Sequence, residues 1–221
     1  ARFALMFVFV FYFQGVQGNS PILAGLKLAP LAVGMLIASP LAGIWADRNG
    51  SRTLASVGML VTALGLGLMT TLGRSTTYWA PCIYMLIVGC GSGMFNSPNT
   101  AAMMGTVAAH RRGIASGARV LVQNTGAVLS IAFVLAVVTS SVPKTVLFKV
   151  FSGLAKHISN SRLTPFISNM HTALWCLTII SVIGAVVAAA RPSHAKEAKV
   201  AESEPQPQSQ PQPQPQPQPQ A

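Results

Sequence analysis

Between Ile114 and Thr139 the chain carries a single charged side chain, Arg119. Runs of this kind recur at Leu28–Ala46, Leu54–Leu72, Trp79–Met104 and Thr172–Ala190, with a shorter one at Phe3–Phe13. About 20 apolar residues make a helix that crosses roughly 30 Å of hydrocarbon. In lipid such a segment must satisfy its own backbone hydrogen bonds, which a helix does. All but the first run reach that length, and the first spans only if further residues precede it. No extended polar domain separates the runs. The fold expected is therefore an all-α membrane protein, a bundle of about six helices over residues 1–190 (3–13, 28–46, 54–72, 79–104, 114–139 and 172–190).

Composition excludes a water-soluble globule. Charged residues make up 9% of the chain, against about 25% in soluble domains, and the mean hydropathy is +0.52. The net charge of +11 raises nucleic acid as a partner. The basic residues, however, flank apolar runs instead of alternating with aromatics, so they read as topology signals, and no nucleic-acid partner is expected. Cys82, Cys90 and Cys176 fall inside apolar runs without metal or redox spacing, so they read as small packing residues and no metal site is expected. The chain opens inside an apolar run, with no basic region before it. It reads as a start cut within a helix and not as a signal peptide.

Basic residues in short loops orient the bundle. With Arg2, Arg48, Arg52, Arg111, Arg112 and Arg191 in the cytoplasm, only Lys27 and Arg74 fall in short outer loops. The expected location is a cell membrane, inner or plasma, crossed several times. The segment 140–169 is then extracytoplasmic. Its Val146, Leu147, Val150, Phe151, Leu154 and Ile158 follow helical spacing, which suits either a helix lying flat at the interface or a lid over a substrate opening. From 191 to 221 Pro and Gln alternate. Such a tract has nothing apolar to bury and reads as a disordered cytoplasmic tail.

The junction "GIWADRNGSRTL" (43–54) places Asp47, one of four acidic residues, among Arg48 and Arg52. Gly43 suits close helix approach and Gly50 a tight turn. Asp47 can meet the positive end of a neighbouring helix and a guanidinium, forming a charge lock between conformations; a plain topogenic loop is the alternative. Gly43, Asp47, Arg48, Gly50 and Arg52 together resemble the G-x-x-x-D-R-x-G-x-R loop signature of the major facilitator superfamily. "FQGVQGNSPILAGLKLAP" (13–30), "GCGSGMFNSPNTAAMMG" (89–105) and "HRRGIASGARVLVQNTGA" (110–127) are similar to stretches of its fourteen-helix drug:proton antiporter branch. The resemblance spans roughly residues 3–190. It implies the C-terminal six-helix bundle of an exporter with its first helix truncated, and as partner an N-terminal half absent here. Gln123-Asn124 departs from an Arg-Gln pair frequent in the branch.

Polar side chains in hydrocarbon usually face protein or water. Ser116, Arg119, Gln123 and Ser130 make one helical stripe, and Gly89, Gly93, Asn96 and Thr100 another, with Asn99 beside it. The candidate cavity-lining set is Asn96, Asn99, Thr100, Arg119, Gln123 and Asn124. For Asn96, Asn99 and Asn124, interhelical hydrogen bonding is an equal alternative. Gly89 and Gly93 read first as close packing. Arg119 lies close enough to the start of its segment to snorkel to headgroups; a cavity-facing cation is the sharper reading. Pro30 and Pro40 can bend their helix, and Gln14 and Gln17 suit a rim or a binding role equally.

No carboxylate lies within a span. A proton-coupling carboxylate is accordingly expected in the other half, with the proton as coupling ion and no cofactor. No nucleophile with its base, metal cluster or phosphate loop is present, so no catalytic residue and no enzyme are expected. The reading is part of a proton-coupled efflux transporter in the lipid bilayer that handles small hydrophobic substrates by rocking bundles. The alternatives are export of a natural product, lipid or amino acid, or a membrane fragment or scaffold that does not transport.

Overall fold

The computed structural model describes residues 2–49, 51–73, 76–140 and 160–190, the side chains at 15, 47–49 and 160–166 excepted. The side chains of Asp47 and Arg48, together with Gly50, residues 141–159 and the tail at 191–221, lie outside the described set.

Helix α1 (Arg2–Phe11) runs into a π-helical turn at Tyr12–Val16. There follow α2 (Pro21–Lys27), α3 (Ala29–Asn49), α4 (Ser51–Met69), α5 (Trp79–Gly105), α6 (Arg112–Thr139) and α7 (Asn160–Ala190). No strand occurs among the described residues, so the fold is all-α. Ser20 starts α2 as N-cap, accepting from the Leu23 N–H at 3.4 Å, with Pro21 at the first helical position, where a missing N–H costs nothing. Pro30 falls in the first turn of α3 for the same reason, whereas Pro40 lies inside it and the helix continues to Asn49. Helix α7 starts at Asn160, well before the apolar run at Thr172. Hydropathy stops where apolar side chains stop, but helical hydrogen bonding continues into polar residues.

Among the described residues, four stretches are long and apolar enough to cross a membrane: Pro21–Ala46, Ser51–Met69, Ala109–Thr139 and Ile167–Ala190. Helix α5 has the length, 27 residues, but Gly, Ser, Asn and Thr dilute its middle. The packing accounts for that dilution. Helix α5 lies between α3 and α4, α4 packs on its other side against α7, α7 meets α6, and α6 meets α1. A Cβ on Gly89 would collide with the Leu31 carbonyl of α3, and one on Gly93 would come within 3.0 Å of the Met35 carbonyl. On another face of α5, a Cβ on Gly91 would stand 2.5 Å from the Thr62 nitrogen of α4. Small residues let these backbones approach, the usual means of helix association in lipid.

Helix α1 is inserted among the others. Leu5, Phe9, Tyr12 and Phe13 are fully buried and share one core with Leu66, Met69, Met85, Val134 and Leu174. At that end the Tyr12 hydroxyl donates to the Gly73 carbonyl (2.8 Å), and His171 Nε2 to the Leu72 carbonyl (2.7 Å). Lys27 Nζ donates to Gln17 Oε1 (3.0 Å) and stands over the Phe13 and Tyr78 rings. Gln17 therefore belongs to the structural rim.

The outward faces are apolar. Leu36, Leu41 and Ile44 on α3, Leu64 on α4, and Ile183 and Val186 on α7 are each more than half exposed. Apolar cover this continuous is far beyond what a water-soluble monomer shows, and it is the surface of a multi-pass membrane protein in contact with lipid.

Candidate functional site: a polar-striped cavity among the helices

A cavity of about 780 Å³ opens between α4, α5, α6 and α7, with the amino end of α1 on its wall. Its polar groups form a band: Ser92, Asn96 and Asn99 from α5, and Arg119, Gln123 and Ser130 from α6. Apolar walls come from Phe3, Met59, Phe95, Met103, Val122 and Ile180. Arg119 Nη2 donates to Asn96 Oδ1 at 2.7 Å across the space. Thr62 and Ser181, buried at the edge, are satisfied by the carbonyls of Gly58 (2.8 Å) and Met59 (3.2 Å). The band can hydrogen-bond a guest while the walls take up its apolar body.

Four of the six residues expected to line a cavity meet here: Asn96, Asn99, Arg119 and Gln123. Arg119 is half-buried, and its guanidinium reaches Asn96 on the facing helix. Thr100 and Asn124 are outside it. The Thr100 hydroxyl donates back to the Asn96 carbonyl of its own helix (2.7 Å), and Asn124 is exposed one residue past the lining face. Gly89 and Gly93 face α3, so the cavity side of α5 runs through Ser92, Phe95, Asn96, Asn99 and Met103. Ser116 likewise falls outside the lining. Arg2 and Phe3 were missed as site residues: in sequence Arg2 reads only as a topology signal, and nothing local marks its position at a cavity wall.

The junction is described in part. A Cβ at Gly43 would meet only Ser97 Oγ at 3.5 Å, an ordinary contact. The close approach expected there lies instead at the glycines of α4 and α5. Arg52 donates from Nη2 to the Ala189 carbonyl, a cationic cap on the negative end of α7. Asp47, Arg48 and Gly50 fall outside what the structure describes.

The family model described as Major Facilitator Superfamily matches residues 1–217. The chain belongs to that superfamily. It is 33% identical over 133 residues to the uncharacterized transporter YebQ of Escherichia coli, a stretch covering 58% of this chain and 29% of that protein. It is 31% identical over 112 residues to the tetracenomycin C resistance and export protein of Streptomyces glaucescens, covering 51% and 21%. With the riboflavin transporter RibZ of Clostridioides difficile it shares 24% over 132 residues, covering 60% and 29%. The matched stretch thus spans less than a third of these relatives' length. Membership in this superfamily places the chain among proteins named as transporters and not among enzymes.

Proposed function

We propose that this bundle is part of a proton-coupled efflux transporter for hydrophobic, drug-like compounds in the cell membrane, of the fourteen-helix antiporter branch. The observation that carries the reading is the cavity, where a band of amides, hydroxyls and a guanidinium is set into apolar walls inside a lipid-facing bundle. Such a mixture suits an apolar guest with a few hydrogen-bonding groups. Resistance and export appear in the name of the Streptomyces glaucescens relative, which favours drug-like cargo. Transport proceeds by rocking against a companion bundle around the cavity. The junction at Gly43, Asp47, Arg48, Gly50 and Arg52 biases the inward- and outward-facing states. The proton-coupling carboxylate lies in the companion bundle.

The name of the riboflavin transporter relative favours a second reading, export of a metabolite. One assay separates the two. Cells expressing the complete protein are loaded with a panel of dyes, antibiotics and riboflavin, and efflux is followed with and without a proton uncoupler. Uncoupler-sensitive efflux of several unrelated apolar compounds is expected. Efflux of riboflavin alone, or efflux indifferent to the uncoupler, refutes the drug-exporter reading.

A further inference from the structure

Two guanidinium groups, from Arg2 and Arg119, line the cavity, and no acidic side chain stands among its described lining residues. Both arginines are half-buried. Arg119 spends one N–H on the neutral Asn96 Oδ1 (2.7 Å). Among the described residues, Arg2 reaches only the Met35 sulfur (2.8 Å), a weak acceptor, and lies with Cζ 4.9 Å from the centre of the Phe3 ring. Neither contact neutralises a charge. Apolar walls sharpen the effect, because a cation in a low-dielectric recess attracts anions more strongly than one on an open surface.

From this we infer that the cavity selects organic anions: compounds with an aromatic or aliphatic body and a carboxylate, sulfonate or phenolate head. The inference rests on reading the cavity as the substrate path. The Asn96 bond holds the Arg119 guanidinium in place and leaves its other N–H groups for the head, in the planar fork that matches carboxylate and sulfonate oxygens. Phe3, Phe95, Met103 and Val122 receive the body. Selectivity for anions follows from charge, and tolerance of body shape follows from the flexible Met and apolar wall.

The experiment uses the complete protein in membrane vesicles, with Cys82, Cys90 and Cys176 replaced by Ser and Ala118→Cys placed on the cavity wall. Labelling rates are measured for two methanethiosulfonates of similar size, one ending in sulfonate and one in trimethylammonium. Each rate is divided by that reagent's rate with free 2-mercaptoethanol. The expected result is a preference for the sulfonate of at least about tenfold. Arg119→Lys should retain it, Arg119→Gln should reduce it, and Arg2→Gln with Arg119→Gln should abolish it. Naphthalene-1-sulfonate should slow the labelling. Equal normalised rates, unchanged by the Gln variants, overturn the anion preference while leaving the cavity as a reachable path. Failure of both reagents from either side of the membrane overturns the reading of the cavity itself. Protection by phosphatidylglycerol but not by naphthalene-1-sulfonate overturns the proposal in favour of a lipid headgroup.

Discussion

Arg119 Nη2 and Asn96 Oδ1 meet at 2.7 Å, and this bond ties α6 to α5, helices whose backbones approach each other at few points. The cavity face of α6 near this tie is open: a Cβ atom added at Gly126 would meet nothing within 4 Å. The bond therefore holds one cavity wall against the other and also positions the guanidinium.

Removing either partner should loosen the wall. Asn96→Ala and Arg119→Ala are each expected to lower thermal stability in detergent by about 0.6–2 kcal/mol, the range for interhelical hydrogen bonds in membranes. The double variant should lose little more than the worse single one. Additive losses in this double-mutant cycle would show that the two side chains act independently.

The α3–α5–α4 crossing should be the least forgiving place in the bundle. Gly91→Leu or Gly89→Leu is expected to cost at least about 1–3 kcal/mol through forced backbone separation, read as loss of monodisperse protein after extraction. Gly43→Ala and Gly126→Ala, where a Cβ meets ordinary contact or open space, should be extracted like the parent protein. Equal behaviour of the two sets would refute close packing at the crossing.

At the far end of α1, Tyr12→Phe removes the hydroxyl that donates to the Gly73 carbonyl at 2.8 Å. The expected loss is about 0.5–1.5 kcal/mol, with transport reduced through stability and not through KM. A raised KM at unchanged melting temperature would assign Tyr12 to substrate handling.

For the junction, Asp47→Asn should shift the balance of conformations more than substrate affinity. Reporter cysteines placed at both ends of the bundle should change their relative labelling severalfold, while dye Kd stays within about twofold. Arg52→Ala, which frees the Ala189 carbonyl, should resemble it more weakly. Unchanged labelling with a large loss of dye affinity would count against a conformational role.

Much of the architecture was legible along the chain because a bilayer leaves few solutions. Apolar runs such as Ile114–Thr139 have to be helical, and Gly89 with Gly93 announced a close crossing. The site was legible only in part. Asn96, Asn99, Arg119 and Gln123 were identifiable as polar residues on helices, but helical spacing fixes an angle relative to a neighbour and not which neighbour occupies it. Thr100, placed among the cavity-lining residues by its spacing from Asn96, therefore falls outside the lining and donates to the Asn96 carbonyl of its own helix. Arg2 was invisible as a site residue because its place on the wall depends on how deeply α1 inserts.

The sequence by itself determined the class of this protein: its shortage of charge and its near-20-residue apolar runs admit only helices in lipid, whatever their order in space. Tertiary structure decided which faces touch. The depth of α1, the rotation of α5 and the gap between α5 and α6 follow from side-chain volumes meeting across long sequence distances. Those meetings bring two arginines and a band of amides to one cavity, an arrangement that no local pattern in the chain encodes.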